Sequence, residues 1–425
     1  MLTKLRLREF KNFKNAHLTL GPLTLLIGAN ASGKSNIRDA LRFLHGIGRG
    51  YSVADILGEK YVEGGVLQWS GIRGGKREIA RHGCPAFYVN VEILLNKERS
   101  QKVTYKTLIN TGDAGKPPFI EFERLDVIVN GSTQEIFSAK ALTSPYLILR
   151  LKEGAYRQEL VHSISALHQL SVQDTLLPSD DFTEVSFDDL TEVKEIIRAV
   201  IQVLSNMRFL DLEPGSMRKP SYPGQVVLGD RGENLSSVLQ SICEDPERKR
   251  SLIGWLQELT PLDVVDFEFP TDLTGRILLV LVEGNGQTTS AYSASDGTLR
   301  FLAMLAALLG PEPAQFYFFE ELDNGIHPAR LNLLINFIEN QVFNRNIQVV
   351  STTHSPQLLR LLSPESLKYA SLTYRPPNQR DAHIKRILDI PDAQRVIEKH
   401  DIGELHESNW FENALYFAED QESAE

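Results

Sequence analysis

The stretch Gly28-Ala29-Asn30-Ala31-Ser32-Gly33-Lys34-Ser35 combines glycines, a lysine and a hydroxyl in an order suited to phosphate chemistry. Glycines let the backbone curl so that its N–H groups face phosphate oxygens, and a helix beginning there adds partial positive charge. Lys34 would reach the β- and γ-phosphates, and the Ser35 hydroxyl would coordinate Mg²⁺. Gly28, Asn30, Ser32, Gly33, Lys34, Ser35 and the adjoining Asn36 are therefore the candidate nucleotide-binding set. Two carboxylates, Glu320 and Glu321, close the aromatic run Phe316-Tyr317-Phe318-Phe319. Beside a phosphate loop such a pair suits a metal-water ligand and a general base. His354, in "STTHSP", has the chemistry to bond a γ-phosphate or an attacking water. A further segment, "SASDGTLRF" at 293–301, sets Ser, Asp and Gly ahead of an apolar run. It reads as an exposed helix start, suited to an anion or simply capped by Ser293 or Ser295.

These residues need elements to hold them. "KLRLREF" alternates and predicts a half-buried strand; "LTLLI", at 23–27, is a continuous apolar run that predicts a buried one. After the glycine loop, Ile37, Leu41 and Leu44 recur at helical spacing, which completes a strand–loop–helix unit. "GIGRG", at 46–50, reads as the turn ending that helix. The four aromatics at 316–319 predict a central strand. A helix with Leu331, Leu334, Ile335, Ile338 and Val342 on one face leads to another strand, "IQVVSTTHSP", ending in His354. "AFYVNVEILL" and "KVTYKTLI" predict strands of an antiparallel layer. "TEVKEIIRAVIQVL" and "SSVLQSICEDPERKRSLIGWLQEL", the latter interrupted at Pro246, predict helices without the sustained heptads of a coiled coil.

Bulk properties narrow the class. A chain of 425 residues, 42% hydrophobic, buries a large core and exceeds one ordinary domain. Its net charge of −10 argues against a broadly basic nucleic-acid coat but leaves room for a local patch. Cys84 and Cys243 form no metal or disulfide framework. "MLTKLRLREF" lacks an apolar signal core, and "FLAMLAALLG" is about half the roughly 20 residues of a membrane span. A cytoplasmic, membrane-free location is expected.

In order, the phosphate loop, "SASDGTLRF", "FYFFEE", "DNGIHP" and "STTHSP" resemble the ABC-type ATPase heads of the RecF/SMC/Rad50 group. The sequence looks closest to the bacterial AAA_21/AAA_15 (OLD-like) ATPases; "RFLDLEPGSMRKPS" and "LGDRGENLSSVLQSI" are similar to phrases of that family. The resemblance covers most of the chain, to about residue 375. It implies an α/β P-loop NTPase of ABC type, with an antiparallel β layer and a compact inserted helical lobe. It further implies ATP and Mg²⁺, and a head-to-tail pair in which Ser295, Asp296 and Gly297 act in trans on the partner's γ-phosphate. By position, Glu321 would be the general base, Glu320 with Ser35 would serve the metal, His354 would be the switch histidine and Asp323 would lie in the D-loop. Two departures stand out: Glu320 replaces the usual Asp, and Leu322 replaces the usual Pro. Gln68, in "LQWSGIRGGKREIAR", is a candidate for the Q-loop glutamine.

The expected organisation is 1–150, the first part of the ATPase domain with its β layer; 151–270, the inserted lobe; 271–390, the second part of the ATPase domain; and 391–425, a C-terminal helix and acidic tail. Arg73, Lys76, Arg77 and Arg81 lie in a Gly-rich loop, where they would meet DNA, nucleotide phosphates or only solvent. "ERKR", at 247–250, reads as an exposed helix face. Trp410, Phe411, Tyr416 and Phe417 would dock on a partner or on the chain's own core. No carboxylate or His/Asn pattern suggests a fused nuclease, and His400 and His406 have no neighbours in sequence that suggest a site. The leading expectation is an ATPase that forms a homodimer or higher homo-oligomer and controls a separate effector such as a nuclease, in DNA-linked or antiphage defence. The alternatives are a RecF-like repair ATPase that binds DNA directly, a transporter subunit and a non-hydrolysing ATP-sensing scaffold.

Overall fold

A computed structural model describes residues 1–96, 101–112, 115–129, 131–143, 146–151, 156–172, 187–260, 262–377 and 379–424. Two sheets dominate. The larger is antiparallel and eight-stranded, in the spatial order Tyr156–Val161, Tyr146–Leu151, Ser132–Thr143, Phe119–Val129, Gln101–Asn110, Ala86–Asn96, Leu2–Phe10 and Phe13–Thr19. The second has six strands, in the order Met207–Leu210, Phe316–Phe319, Gln348–Thr352, Leu23–Ile27, Ser371–Tyr374 and His383–Arg386. Its first five run parallel and the last pairs antiparallel.

The parallel sheet is buried on both faces, which is why its strands are continuous apolar runs. Leu26, Phe316, Phe318 and Val350 join the core beneath the antiparallel sheet. Their neighbours Leu25, Ile27, Tyr317, Phe319 and Val349 face the opposite way, toward the helices Asp296–Leu309 and Pro328–Asn344. The helix Lys34–Gly48 follows the glycine loop and lies between the two sheets, where Phe43 meets Phe87 edge-on at 5.4 Å. That sandwich buries Ile37, Leu41 and Leu44 together with residues of its other faces. Gln348 ties the sheets together: its side chain accepts from Leu2 N and donates to the carbonyls of Leu2 and Gly21 at 2.8–2.9 Å.

Several expectations change in detail. The helix runs through Gly46 to Gly48, and Gly50, in a left-handed conformation, follows its end. Strand 348–352 stops two residues before His354. The inserted segment is helical over Phe187–Ser205, Leu235–Cys243 and Pro246–Leu259, with Asp245 capping the last. It also supplies Met207–Leu210, the edge strand beside Phe316–Phe319, which hydropathy did not reveal. In "ERKR", Lys249 pairs with Asp266 at 2.5 Å and Arg248 with Asp245 at 3.4 Å, so that run is partly engaged. Phe411 is buried, whereas Phe417 is exposed. No helix among the described residues is long and apolar enough to cross a membrane.

Candidate functional site

Strand Leu23–Ile27 is fully buried and delivers the glycine loop to the C-terminal edge of the parallel sheet. Gly33 sits at φ 114°, and a Cβ there would lie 2.7 Å from the Phe13 ring, so the loop requires glycine at this point. Ser32 Oγ shares a 2.6 Å hydrogen bond with Thr373 Oγ1, anchoring the loop to the neighbouring strand. The Asn36 amide donates to Asn12 Oδ1 at 2.7 Å. Lys34 donates back to the carbonyls of Gly28 and Ala29. Burial pushes its ammonium down to about 8, against the pull of Glu321.

The loop faces a cavity of about 630 Å³, ample for a nucleotide's phosphates. Asn30, Ser32, Gly33, Lys34, Ser35 and Asn36 line it, and Glu320, Glu321 and His354 reach it from the ends of the two neighbouring strands. Residues more than three hundred positions apart thus share one wall.

Glu320 continues strand Phe316–Phe319 and accepts from Arg38 Nη1 at 2.8 Å. Burial raises its carboxyl pKa, Arg38 pulls it down and Asp211 pushes it up. Asp211 follows directly on edge strand Met207–Leu210 and lines the same cavity. Hard oxygen donors from Ser35, Glu320 and Asp211 fit Mg²⁺, which is usually held by one or two carboxylates together with substrate phosphates and water. The described residues include no group of three His, Cys, Asp or Glu that could hold a metal ion.

Glu321 is a non-glycine residue at φ 49°, a sparsely populated conformation that costs on the order of 1–3 kcal/mol. Its backbone N–H donates to Thr352 Oγ1 at 3.0 Å, and its carboxylate accepts from Asn324 Nδ2 at 3.0 Å. The side chain is exposed at the cavity mouth, where a water can approach it. Leu322 N donates to Thr352 O at 3.2 Å. The usual proline has no N–H for that bond, so leucine changes how this turn is fixed. Asp323 accepts from Thr353 Oγ1 at 2.7 Å and is thereby coupled to the strand end that carries His354. Burial, and then Lys34, lower the His354 pKa, which favours the neutral ring.

Ser295, Asp296 and Gly297 do not line this cavity. Ser295 caps helix Asp296–Leu309, with its Oγ accepting from Thr298 N at 3.1 Å, so local capping is real here. Arg218 braces the same start through Asp296 Oδ1 at 2.7 Å and Ala294 O at 2.9 Å. A Cβ on Gly297 would stand 2.7 Å from the Gly325 carbonyl, so glycine lets this helix start approach the Asp323–Gly325 turn. Ser295 and Asp296 are both exposed.

The basic loop is not one patch. Arg73 lines the phosphate-loop cavity and pairs with buried Asp39 at 3.1 Å, beside the Lys11–Asp39 pair. Lys76 donates to the Lys116 carbonyl, Arg77 is exposed, and Arg81 pairs with Asp381 at 2.7 Å and Glu9 at 3.4 Å. Gln68 lies on the hairpin Lys60–Trp69 and lines a different cavity, whereas Asp211 lines the phosphate-loop cavity. Sequence reasoning missed Asp211, Arg38, Asn12 and Arg375. Arg375 Nη2 donates to Ala31 O at 3.1 Å, and this side chain also lines the cavity. A loop aspartate or a lone arginine carries no motif. Only the pairing of strand Met207–Leu210 beside "FYFFEE" would have brought Asp211 to notice.

Among known proteins, the family AAA_21, described as "AAA domain, putative AbiEii toxin, Type IV TA system", matches residues 23–98 and 166–360. An ATP/GTP phosphatase of Helicobacter pylori is 22% identical over 373 residues, 85% of this chain and 87% of the relative. Similar solved structures include an SMC head domain from Thermotoga maritima, at 12% identity and TM-score 0.40, covering 91% of this chain and 98% of that one. An SMC head with an extended coiled coil from Pyrococcus furiosus, bound to the C-terminal domain of ScpA, is 13% identical with TM-score 0.49, covering 94% and 98%. The family match takes in the glycine loop, the "SDGT" helix start, both glutamates and His354, and covers more than half of the chain. The chain belongs to the AAA_21 family and is a P-loop ATPase.

Proposed function

We propose that hydrolysis occurs in the phosphate-loop cavity, with Glu321 as the general base and Mg²⁺ held by Ser35, Glu320 and Asp211. The observation that carries this is Glu321 itself: a carboxylate on a left-handed backbone, oriented by Asn324, at the mouth of the cavity that holds Lys34. Lys34 and the loop N–H groups would hold the β- and γ-phosphates. When bound, Mg²⁺ neutralises charge on the β- and γ-oxygens. Glu321 would take a proton from the attacking water, and a neutral His354 would bond the γ-phosphate or that water. The similarity to the Helicobacter pylori ATP/GTP phosphatase supports a nucleoside triphosphate substrate. In the test, purified protein turns over ATP with Mg²⁺, and Glu321→Gln lowers kcat by about 10²–10⁴ while still binding ATP. Equal turnover in the two proteins would remove Glu321 from this role; no turnover in the native protein would favour an ATP-sensing scaffold.

We also propose a head-to-tail homodimer, in which the exposed Ser295–Gly297 helix start of one chain closes the cavity of its partner. The support is positional: this capped start lies outside its own chain's cavity, yet packs against the Asp323–Gly325 turn that continues from Glu321. The output would pass to a separate effector protein, a reading supported by the family description, which names a toxin–antitoxin system. Direct DNA binding through Arg73, Lys76 and Arg77 is the weaker reading, because Arg73 is committed to Asp39 and the cavity.

A further inference from the structure

A second cavity, of about 770 Å³, opens at the far end of the phosphate-loop helix, between the Lys60–Trp69 hairpin and the edge strand Met207–Leu210. Four arginines converge on it from three parts of the chain. Arg42 comes from the middle of the phosphate-loop helix and Arg49 from its end, Arg208 from the edge strand, and Arg231 from the loop before helix Leu235–Cys243. Two carboxylates share the lining, Asp230 and Glu233. Arg231 also faces Glu213 at 3.9 Å, but four guanidinium groups against two carboxylates in the lining leave its side-chain charge net positive. In a chain of net charge −10, such a concentration of guanidinium groups is the opposite of the background.

The fold explains only part of this arrangement. Arg49 lies at a helix C-terminus, where a cation is stabilised anyway. Arg42 is held rigidly: its guanidinium lies 4.8 Å from the Trp69 ring centroid and donates to Ser70 Oγ at 3.0 Å. Arg208 lies near enough to the Asp230 carboxylate for their charges to interact, yet it is not fully satisfied. Its Nε is buried without a hydrogen-bond partner among the described residues, a cost that an arginine kept only for packing would not need to carry. Pre-oriented guanidinium forks with unused donors match the geometry of phosphate oxygens.

We propose that this cavity is a second phosphate site, independent of the phosphate loop, that takes a phosphate monoester or oligophosphate. Its source is either a small free phosphate compound or the phosphorylated end of a nucleic-acid strand, and the chemistry recognised is the same. Because Arg42 lies one helical turn beyond Arg38, which pairs with Glu320, a ligand here acts on the same rigid helix as the nucleotide.

The test uses the full chain carrying Lys34→Ala, which removes the phosphate loop from the measurement and keeps the result separate from the proposed catalytic reading. Calorimetric titrations use inorganic pyrophosphate, a 5′-phosphorylated single-stranded oligonucleotide, the same oligonucleotide with a 5′-hydroxyl, and a triglutamate peptide. The expected result is salt-sensitive binding of pyrophosphate, of the 5′-phosphorylated strand, or of both. It should weaken about tenfold or more for each of Arg49→Ala and Arg231→Ala, both at exposed side chains. Pyrophosphate binding points to a small free ligand, and binding of the phosphorylated strand alone points to a nucleic-acid end. Arg208→Met should weaken binding while leaving Tm unchanged or higher. Any of four results would overturn the proposal: no binding of either phosphate probe, binding indifferent to both alanine variants, equal binding of the 5′-hydroxyl strand, or a preference for triglutamate.

Discussion

His45 offers a clean test of how tightly the phosphate-loop helix is built into its surroundings. Its Nδ1 lies 2.9 Å from Leu204 O, and a carbonyl only accepts, so this nitrogen carries the proton. The ring sits 5.8 Å from both Trp69 and Phe209, and burial lowers its pKa to about 4 from 6.5. The unfolded chain therefore binds a proton between pH 6.5 and 4 that the folded chain refuses. Stability contributed by the neutral ring is complete above the unfolded value and is lost as pH falls through this window. At about 1.36 kcal/mol per unit, that loss approaches roughly 3 kcal/mol by pH 4. His45→Asn keeps a donor near the position of Nδ1 and removes the titration. It should cost about 1–2 kcal/mol at pH 7.5 through lost ring packing. The gap from native should then shrink, and reverse sign, as the pH falls to 4.5. Urea unfolding at several pH values measures this difference, in which the titrations of all other groups cancel. Parallel stability curves for the two proteins would refute the reasoning, because they would mean that His45 charges freely in the folded state.

Other consequences concern the turn after Glu321 and the buried scaffold. Gly297→Ala places a methyl 2.7 Å from Gly325 O, so it should cost about 1–3 kcal/mol in thermal unfolding and depress ATP turnover by separating the helix start from the Asp323–Gly325 turn. Leu322→Pro removes the donor to Thr352 O and should cost about 1–3 kcal/mol; unchanged Tm and turnover would mean that this bond fixes nothing. Glu123 is fully buried and accepts from Ser165 Oγ, Ala166 N, Leu167 N and Tyr105 Oη at 2.6–2.9 Å. Glu123→Ala leaves these donors unpaired and should cost about 3–5 kcal/mol in urea unfolding, far more than an exposed glutamate.

The phosphate loop was legible because its chemistry dictates both residue types and spacing, and because strand 23–27 and helix 34–48 carry clear hydropathic patterns. Strand 316–319 was equally plain, since burial on both faces demands four apolar residues in a row. Met207–Leu210 escaped notice: a four-residue strand inside a helical insertion has too little length for periodicity, and only its pairing partner defines it. With it went Asp211, whose place beside Glu320 depends on that pairing. Gln68, a Q-loop candidate by sequence, sits on a hairpin that places it in a different cavity from the phosphate loop. Arg73, Lys76, Arg77 and Arg81 looked like a cluster in sequence, yet their partners, Asp39, Lys116 and Asp381 among them, lie far along the chain and draw them apart. His406 shows the converse. Nothing beside it in sequence suggested a site, but folding brings it near enough to Lys34 and His354 for both to lower its pKa, after burial. Long-range pairing of charged side chains is set by topology, which short-range patterns do not encode.

The central claim is a composite ATP site shared by two chains, and the solution mass of Glu321→Gln tests it most directly. Light scattering with and without Mg²⁺ and ATP should show a shift from monomer to dimer. Changing Ser295 to a bulky residue should abolish that shift, because the exposed helix start then cannot approach the partner's phosphates. A mass that stays monomeric at saturating ATP would contradict the account and leave Ser295 as nothing more than the cap of its own helix.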